Sequence, residues 1–210
     1  MRIKLHQAAL STFFLCFYLI AAAEVDAGVN QAQASLASSP ASAEQEPDSG
    51  SVLDNVYRNE FFGFTYTFPK GWMVSQDSRN SLERQPPAKP GVHILLFAFQ
   101  HHNFAEISTL IVRAVKLSSP DKNARQFLLD EYPAARARGA KPQGDPKELT
   151  SAGWQFFSAV FKAKVGGGTI SEENIVTIQK GYALEFYFVT NQDKTLKALQ
   201  KTMESLRVGT

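Results

Sequence analysis

Four residues near the middle of the chain come closest to a metal-binding set: His93, His101, His102 and Glu106. If residues 92–100 and 107–116 form a hairpin, His101, His102 and Glu106 sit at its tip, where imidazole and carboxylate suit a divalent ion. The spacing matches no recognised ligand motif, and adjacent side chains on an extended backbone diverge. The expectation is therefore an exposed polar turn without metal. His93, on an apolar strand, is expected to be a hydrogen-bonded core histidine.

Other chemistries find less support. Serines are plentiful, but there is no Gly-x-Ser-x-Gly elbow and no strand–Ser–helix context in its place. Carboxylates are paired at Asp130-Glu131 and Glu172-Glu173, yet sequence neighbours on a helix or strand do not converge on one substrate. Both pairs read as solvated faces. Glu185 interrupts an aromatic strand, but opposite Phe186 it can point to solvent or meet a lysine. Gly166-Gly167-Gly168-Thr169 lacks the lysine and the following helix of a phosphate loop, and reads as a hairpin turn. Phe156, Phe157, Phe161, Tyr182, Phe186, Tyr187 and Phe188 could stack on bases, but no arginines cluster with them and core packing accounts for most. No residue is assigned as catalytic, cofactor-binding or metal-binding, and neither a cofactor nor nucleic acid is expected.

Arg2 and Lys4 precede the apolar run Phe13 to Ala23, and Ala21-Ala22-Ala23 fits small-x-small cleavage. Residues 1–23 thus read as a secretory signal, too short for a membrane span. Membrane association would follow only if the signal stayed uncleaved. The only cysteine, Cys16, lies inside the run; Leu15 precedes it and apolar residues continue past it, against lipidation. The mature chain then has no thiol, which excludes disulfides, a cysteine nucleophile and thiolate metal sites. Residues 24–52 are rich in Ala, Ser, Gln, Glu and Pro and read as a flexible tether, leaving residues 53–210 as a single domain. Residues 24–56 carry six acidic groups and no basic one, and the rest of the mature chain carries 20 basic against 14 acidic. A basic domain behind an acidic leader favours acidic partners or serves solubility alone.

Positioning falls to the elements. In Tyr57–Trp72, Phe64, Tyr66 and Phe68 alternate with Thr65 and Thr67, the period of a half-buried strand. Residues 75–91 and 138–152 are polar and read as two long surface loops. Strands are expected at 92–99, 107–117, 154–165, 169–179 and 182–189, with Tyr182, Leu184, Phe186 and Phe188 on one face. Ser119-Pro120 reads as a helix start with Ala124, Phe127, Leu128 and Tyr132 inward, and Pro133 as its end or kink. Asn191 reads as the cap of a closing helix that buries Leu196, Leu199, Met203 and Leu206 and wets Lys194, Lys197 and Lys201. The class is α+β: an antiparallel sheet of about six to seven strands with helices packed on it as an α/β/α sandwich.

From Tyr57 to Trp72 the chain runs aromatic, five residues, Gly-Phe, aromatic, Phe-Pro, Gly-Trp, and it ends on an aromatic strand, a helix and Ser205–Val208. This pattern resembles the PsbP-like domains, the extrinsic photosystem proteins and their bacterial relatives, whose fold the Ran-binding import factor Mog shares. The resemblance covers residues 57–208 and implies an antiparallel sheet between helices, used mostly for binding or assembly. Its motifs are turn glycines and core aromatics, and no metal- or partner-binding residue of the photosystem members maps onto this chain. The expectation is an exported, periplasmic or secreted non-enzymatic module engaging a protein or envelope component. A small-ligand carrier with an apolar pocket, and a hydrolase using a histidine from 93–102, are the alternatives.

Overall fold

The computed structural model describes residues 46–84, 90–101 and 107–209, the side chains of His101 and Ile107 excepted. The expected signal at 1–23, most of the tether, and His102 to Glu106 lie outside the described residues. From Pro47 onward the chain is one unit.

Two antiparallel sheets form its framework. The smaller has the order β1 (Ser51–Leu53), β2 (Val56–Asn59), β3 (Phe64–Thr67), β12 (Arg207–Val208). The larger has eight strands: β4 (Met73–Val74), β5 (Val92–His101), β6 (Ile107–Lys116), β11 (Tyr182–Thr190), β10 (Gly168–Gln179), β9 (Trp154–Val165) and β7 (Lys141–Pro142), with β8 (Lys147–Ser151) also paired to β9. The α+β class holds. The count of six to seven strands does not, because the short edge strands β7 and β8 occupy the segment expected to be a loop. Their side chains are mostly exposed and polar, so edge pairing to β9 leaves no hydrophobic period to read.

The 75–91 loop is also corrected. Ser75 Oγ accepts from Ser78 N at 3.1 Å and caps α1 (Gln76–Glu83), whose only buried residue is Leu82. One apolar anchor in eight residues is too little to show as amphipathicity. Helix α2 (Ala124–Ala137) starts at Asn123, not at Ser119-Pro120: Asn123 Oδ1 accepts from Gln126 N at 2.9 Å, and the buried stripe begins at Ala124. Pro133 does not end it. Proline removes one backbone donor, while the following turn buries Ala135 and brings Arg138 onto the sheet. Helix α3 (Asp193–Thr202) has Gln192 at its N-cap rather than Asn191, without a side-chain cap bond. Leu196, Leu199, Met203 and Leu206 are buried and the three lysines exposed, as their spacing predicts.

Two cores flank the large sheet. On one face Tyr57, Phe64, Tyr66, Phe68 and Trp72 pack with α3 against Phe156, Ile175, Leu184, Phe186 and Phe188. On the other, Phe127, Leu128 and Tyr132 of α2 meet Ala159, Phe161, Val176 and Ala183. Both faces of strands β9 to β11 are covered, so their apolar residues fall on both sides of the sheet. Tight turns at Gly166-Gly167 and Lys180-Gly181 link them; both residues of the second have positive φ, 51° and 80°, as a two-residue hairpin requires.

Residues 47–52 belong to the fold and not to the tether. Asn59 Nδ2 donates to Asp48 O at 2.9 Å, and Gly50 N to Asp48 Oδ1 at 2.6 Å. Gly50 sits at φ 64°, where a Cβ would lie 2.3 Å from Arg58 O. Gly50→Ala is therefore expected to lower stability by more than about 1 kcal/mol. An unchanged urea midpoint would return residue 50 to the tether.

Candidate functional site

The titratable groups assemble where the sequence did not suggest. Along β10, β11 and β6 the side chains of Glu172, Asn174, Glu185, Tyr187 and Arg113 share the sheet face on which α2 packs, with Glu185 opposite Arg113 and Asn174 opposite Tyr187. Arg113 Nε and Nη2 grip the two oxygens of Glu185 at 2.9 and 2.8 Å. Glu172 Oε2 accepts from Tyr187 OH at 2.6 Å and from Arg138 Nη2 at 2.7 Å. Arg113 Cζ stands 6.0 Å from the Tyr187 ring centroid and links the two pairs. Glu172 and Glu185 are wholly buried and Glu173 nearly so, which overturns the solvated reading of all three. The reason is their place on central strands covered on both faces, where a carboxylate persists only with paired donors.

This layer is enclosed between the sheet and α2: Arg113 engages both oxygens of Glu185, and Glu172 Oε2 accepts from two donors. The Tyr187 phenol is pushed well up by burial and then by the Glu172 charge, so it stays protonated and donates. Arg138 Nε and Nη1, Glu172 Oε1 and Asn174 Oδ1 are buried with no hydrogen-bond partner among the described residues. The one signal for this layer in the sequence was Glu185, a charge inside the apolar strand Tyr182–Val189.

Glu173 lies on the opposite face. Its Oε1 accepts from Ser158 Oγ at 2.5 Å, while Oε2 has no partner at hydrogen-bond geometry among the described residues. Burial raises its carboxyl above the ordinary range, and hydrogen bonds from Ser158 and Gln200 oppose the rise only in part. Between the ordinary value and the raised one, the native state holds a proton that the unfolded chain has released. Stability is full below the ordinary carboxyl value and is lost as pH rises through the raised one. Glu173→Gln is expected to increase the thermal midpoint at pH 7 and leave it nearly unchanged at pH 4. An equal shift at both would remove the titration as its cause.

An accessible concavity lies at one end of α3. A groove of about 380 Å³ runs between that helix and the turn carrying Pro69 and Trp72. Pro69, Ala198 and the edge of Trp72 give its apolar surface, with Leu199 buried beneath, while Gln100 of β5, Gln192, Lys194 and Thr195 supply its polar wall. Among the described residues no carboxylate lines it.

The sequence-predicted residues fall elsewhere. His93 is half-buried on β5, edge-on to Tyr182 with centroids 6.1 Å apart, and not in the core as expected. The side chain of His101, and His102 and Glu106 entirely, lie outside the described residues. Among the described residues no three metal-ligating groups converge, and no helix is long and apolar enough to cross a membrane. Asp130 is exposed on α2, paired with Lys122 at 2.5 Å.

No protein-family model and no curated protein matches the chain. Among solved structures it is similar to the solution structure of cyanobacterial PsbP (CyanoP) from Synechocystis sp., with a TM-score of 0.50 and 18% identity, covering 76% of this chain and 95% of that one. The fold is PsbP-like. Similarity extends more weakly to LpqN of Mycobacterium tuberculosis, described as involved in cell envelope biogenesis, with a TM-score of 0.43 and 11% identity over 69% of this chain and 82% of that one. The PsbP-like fold accounts for the aromatic opening: Tyr57, Phe64 and Tyr66 join the small sheet to the large one, and the terminal Ser205 Oγ accepts from Thr67 N at 2.9 Å.

Proposed function

We propose that the protein is an exported, non-enzymatic binding module that engages a protein or envelope component through the groove beside α3. The observation that carries this reading is the contrast between its two polar assemblies. The carboxylates that could act as acid or base are gripped and enclosed, whereas the open groove offers amides, a hydroxyl and an ammonium over an apolar floor, with no nucleophile–base pair. Export rests on the signal-like residues 1–23, and the Mog-like resemblance is taken as one of fold and not of Ran binding.

The test is crosslinked capture from envelope extract by the full chain and by an Ala198→Trp variant that fills the groove. A partner recovered with the wild type and lost with the variant supports the reading. No specific partner, or equal recovery with both, counts against it. A small-ligand carrier is the second reading, favoured by the groove's volume, which lies at the lower end of the range for ligand sites. The packed aromatic layers on the α3 side of the large sheet argue against the deeper apolar pocket that the carrier alternative requires.

A further inference from the structure

We infer that the groove recognises the free C-terminus of a partner chain ending in an apolar residue, with the terminal carboxylate held by Lys194. This rests on the binding-module reading above and names the chemistry of its partner. Three features of the groove define that chemistry.

The first is charge. Among the described residues Lys194 is the only ionic one lining the groove. Helix α3 exposes Lys197 and Lys201 as well, and its sole carboxylate, Asp193, is 3.9 Å from Lys162. The field around the groove is therefore positive and complements an anion. Gln192 makes no side-chain cap bond, and the positive end of the α3 dipole lies on the same side as Lys194.

The second is the arrangement of the remaining polar groups. The amides of Gln100 and Gln192 each offer a donor and an acceptor, the pattern that a peptide backbone satisfies and a simple inorganic anion does not. The third is shape. The apolar surface of Pro69, Ala198 and the edge of Trp72 suits an aliphatic side chain, and a volume of about 380 Å³ holds a terminal residue with part of its neighbour. Gln192, Lys194 and Ala198 are exposed, so an occupant remains open to solvent on one side. A chain end that continues outward tolerates this, whereas a small molecule gains affinity chiefly from near-complete enclosure. Capture of a terminal carboxylate by backbone and side-chain donors is an established mode of peptide recognition.

The experiment is selection of the purified full-length protein against a library of octapeptides displayed with free C-termini, followed by titration of the enriched peptides in solution. Enrichment of an apolar last residue is expected, with affinity falling tenfold or more on C-terminal amidation and again in Lys194→Glu. Raising salt from 50 to 300 mM is expected to weaken binding of the acid peptide several-fold and that of the amide little. Equal affinity for acid and amide forms, or no enrichment at all, overturns the inference. So does decanoate binding to the wild type while every peptide fails, since the site then serves a small amphipathic acid. If envelope capture is lost in Ala198→Trp but retained in Lys194→Glu, the module reading stands and the carboxylate inference falls.

Discussion

Arg138→Ala is expected to destabilise the protein by about 3–5 kcal/mol, the usual consequence of stranding one member of a buried ion pair. Arg138 has only 12% of its side chain exposed and Glu172 none. Without the guanidinium, Glu172 retains a single donor, the Tyr187 hydroxyl, for a full charge between the sheet and α2. The cost lies in that stranded charge more than in the lost attraction. A double variant makes the distinction: Arg138→Met with Glu172→Gln keeps an oxygen for Tyr187 and removes both charges. It should recover most of the loss, because replacing a buried pair as a unit is often close to neutral. Urea unfolding of the three proteins at pH 7 decides it. If the double variant is as unstable as Arg138→Ala, the contribution of Arg138 is packing at the end of α2, and the ionic account fails.

The ion layer also shows where sequence reading stops. The long strands β5, β6, β9, β10 and β11 and the inward face of α3 were legible from apolar runs, alternation or helical spacing bounded by turn residues. Tyr182, Leu184, Phe186 and Phe188 share a face as their alternation requires. Glu172 and Glu185 were misread because whether a strand is central or at an edge, and which arginine crosses to it, are properties of sheet order. Arg113 is 72 residues from Glu185, and Arg138 is 34 from Glu172. No local window contains such pairs. The edge strands β7 and β8 were invisible for the opposite reason: their pairing is to backbone, and exposed Lys and Glu leave no pattern. The groove was equally hidden. Trp72 announced itself as a core indole, but its position beside the first turn of α3 depends on how the two sheets stack, and that is decided by aromatic packing between residues more than a hundred positions apart.

That packing carries the other large expected effect. Phe186 is wholly buried at the centre of the interface between the sheets, with ring centroids 5.1 Å from Tyr66, 5.8 Å from Phe64 and 6.3 Å from Phe156. Truncation to alanine removes an aromatic ring from a site walled by three others, which cannot collapse together while the strands that hold them remain paired. Phe186→Ala is therefore expected to cost about 3–5 kcal/mol, and Phe186→Leu distinctly less. The loss should be unevenly distributed. The opposite core, where Tyr132 packs edge-on to Phe161 with centroids 5.2 Å apart, does not touch this ring, whereas the small sheet depends on it. Amide hydrogen exchange in Phe186→Ala should accelerate at β2 and β3 by a larger factor than at β9 and α2. Uniform acceleration would mean that the two cores unfold as a single cooperative unit and that the small sheet is not a separable layer. An unequal response would identify the aromatic opening of the chain as the joint that fixes Trp72 against α3, and so as the element that shapes the groove.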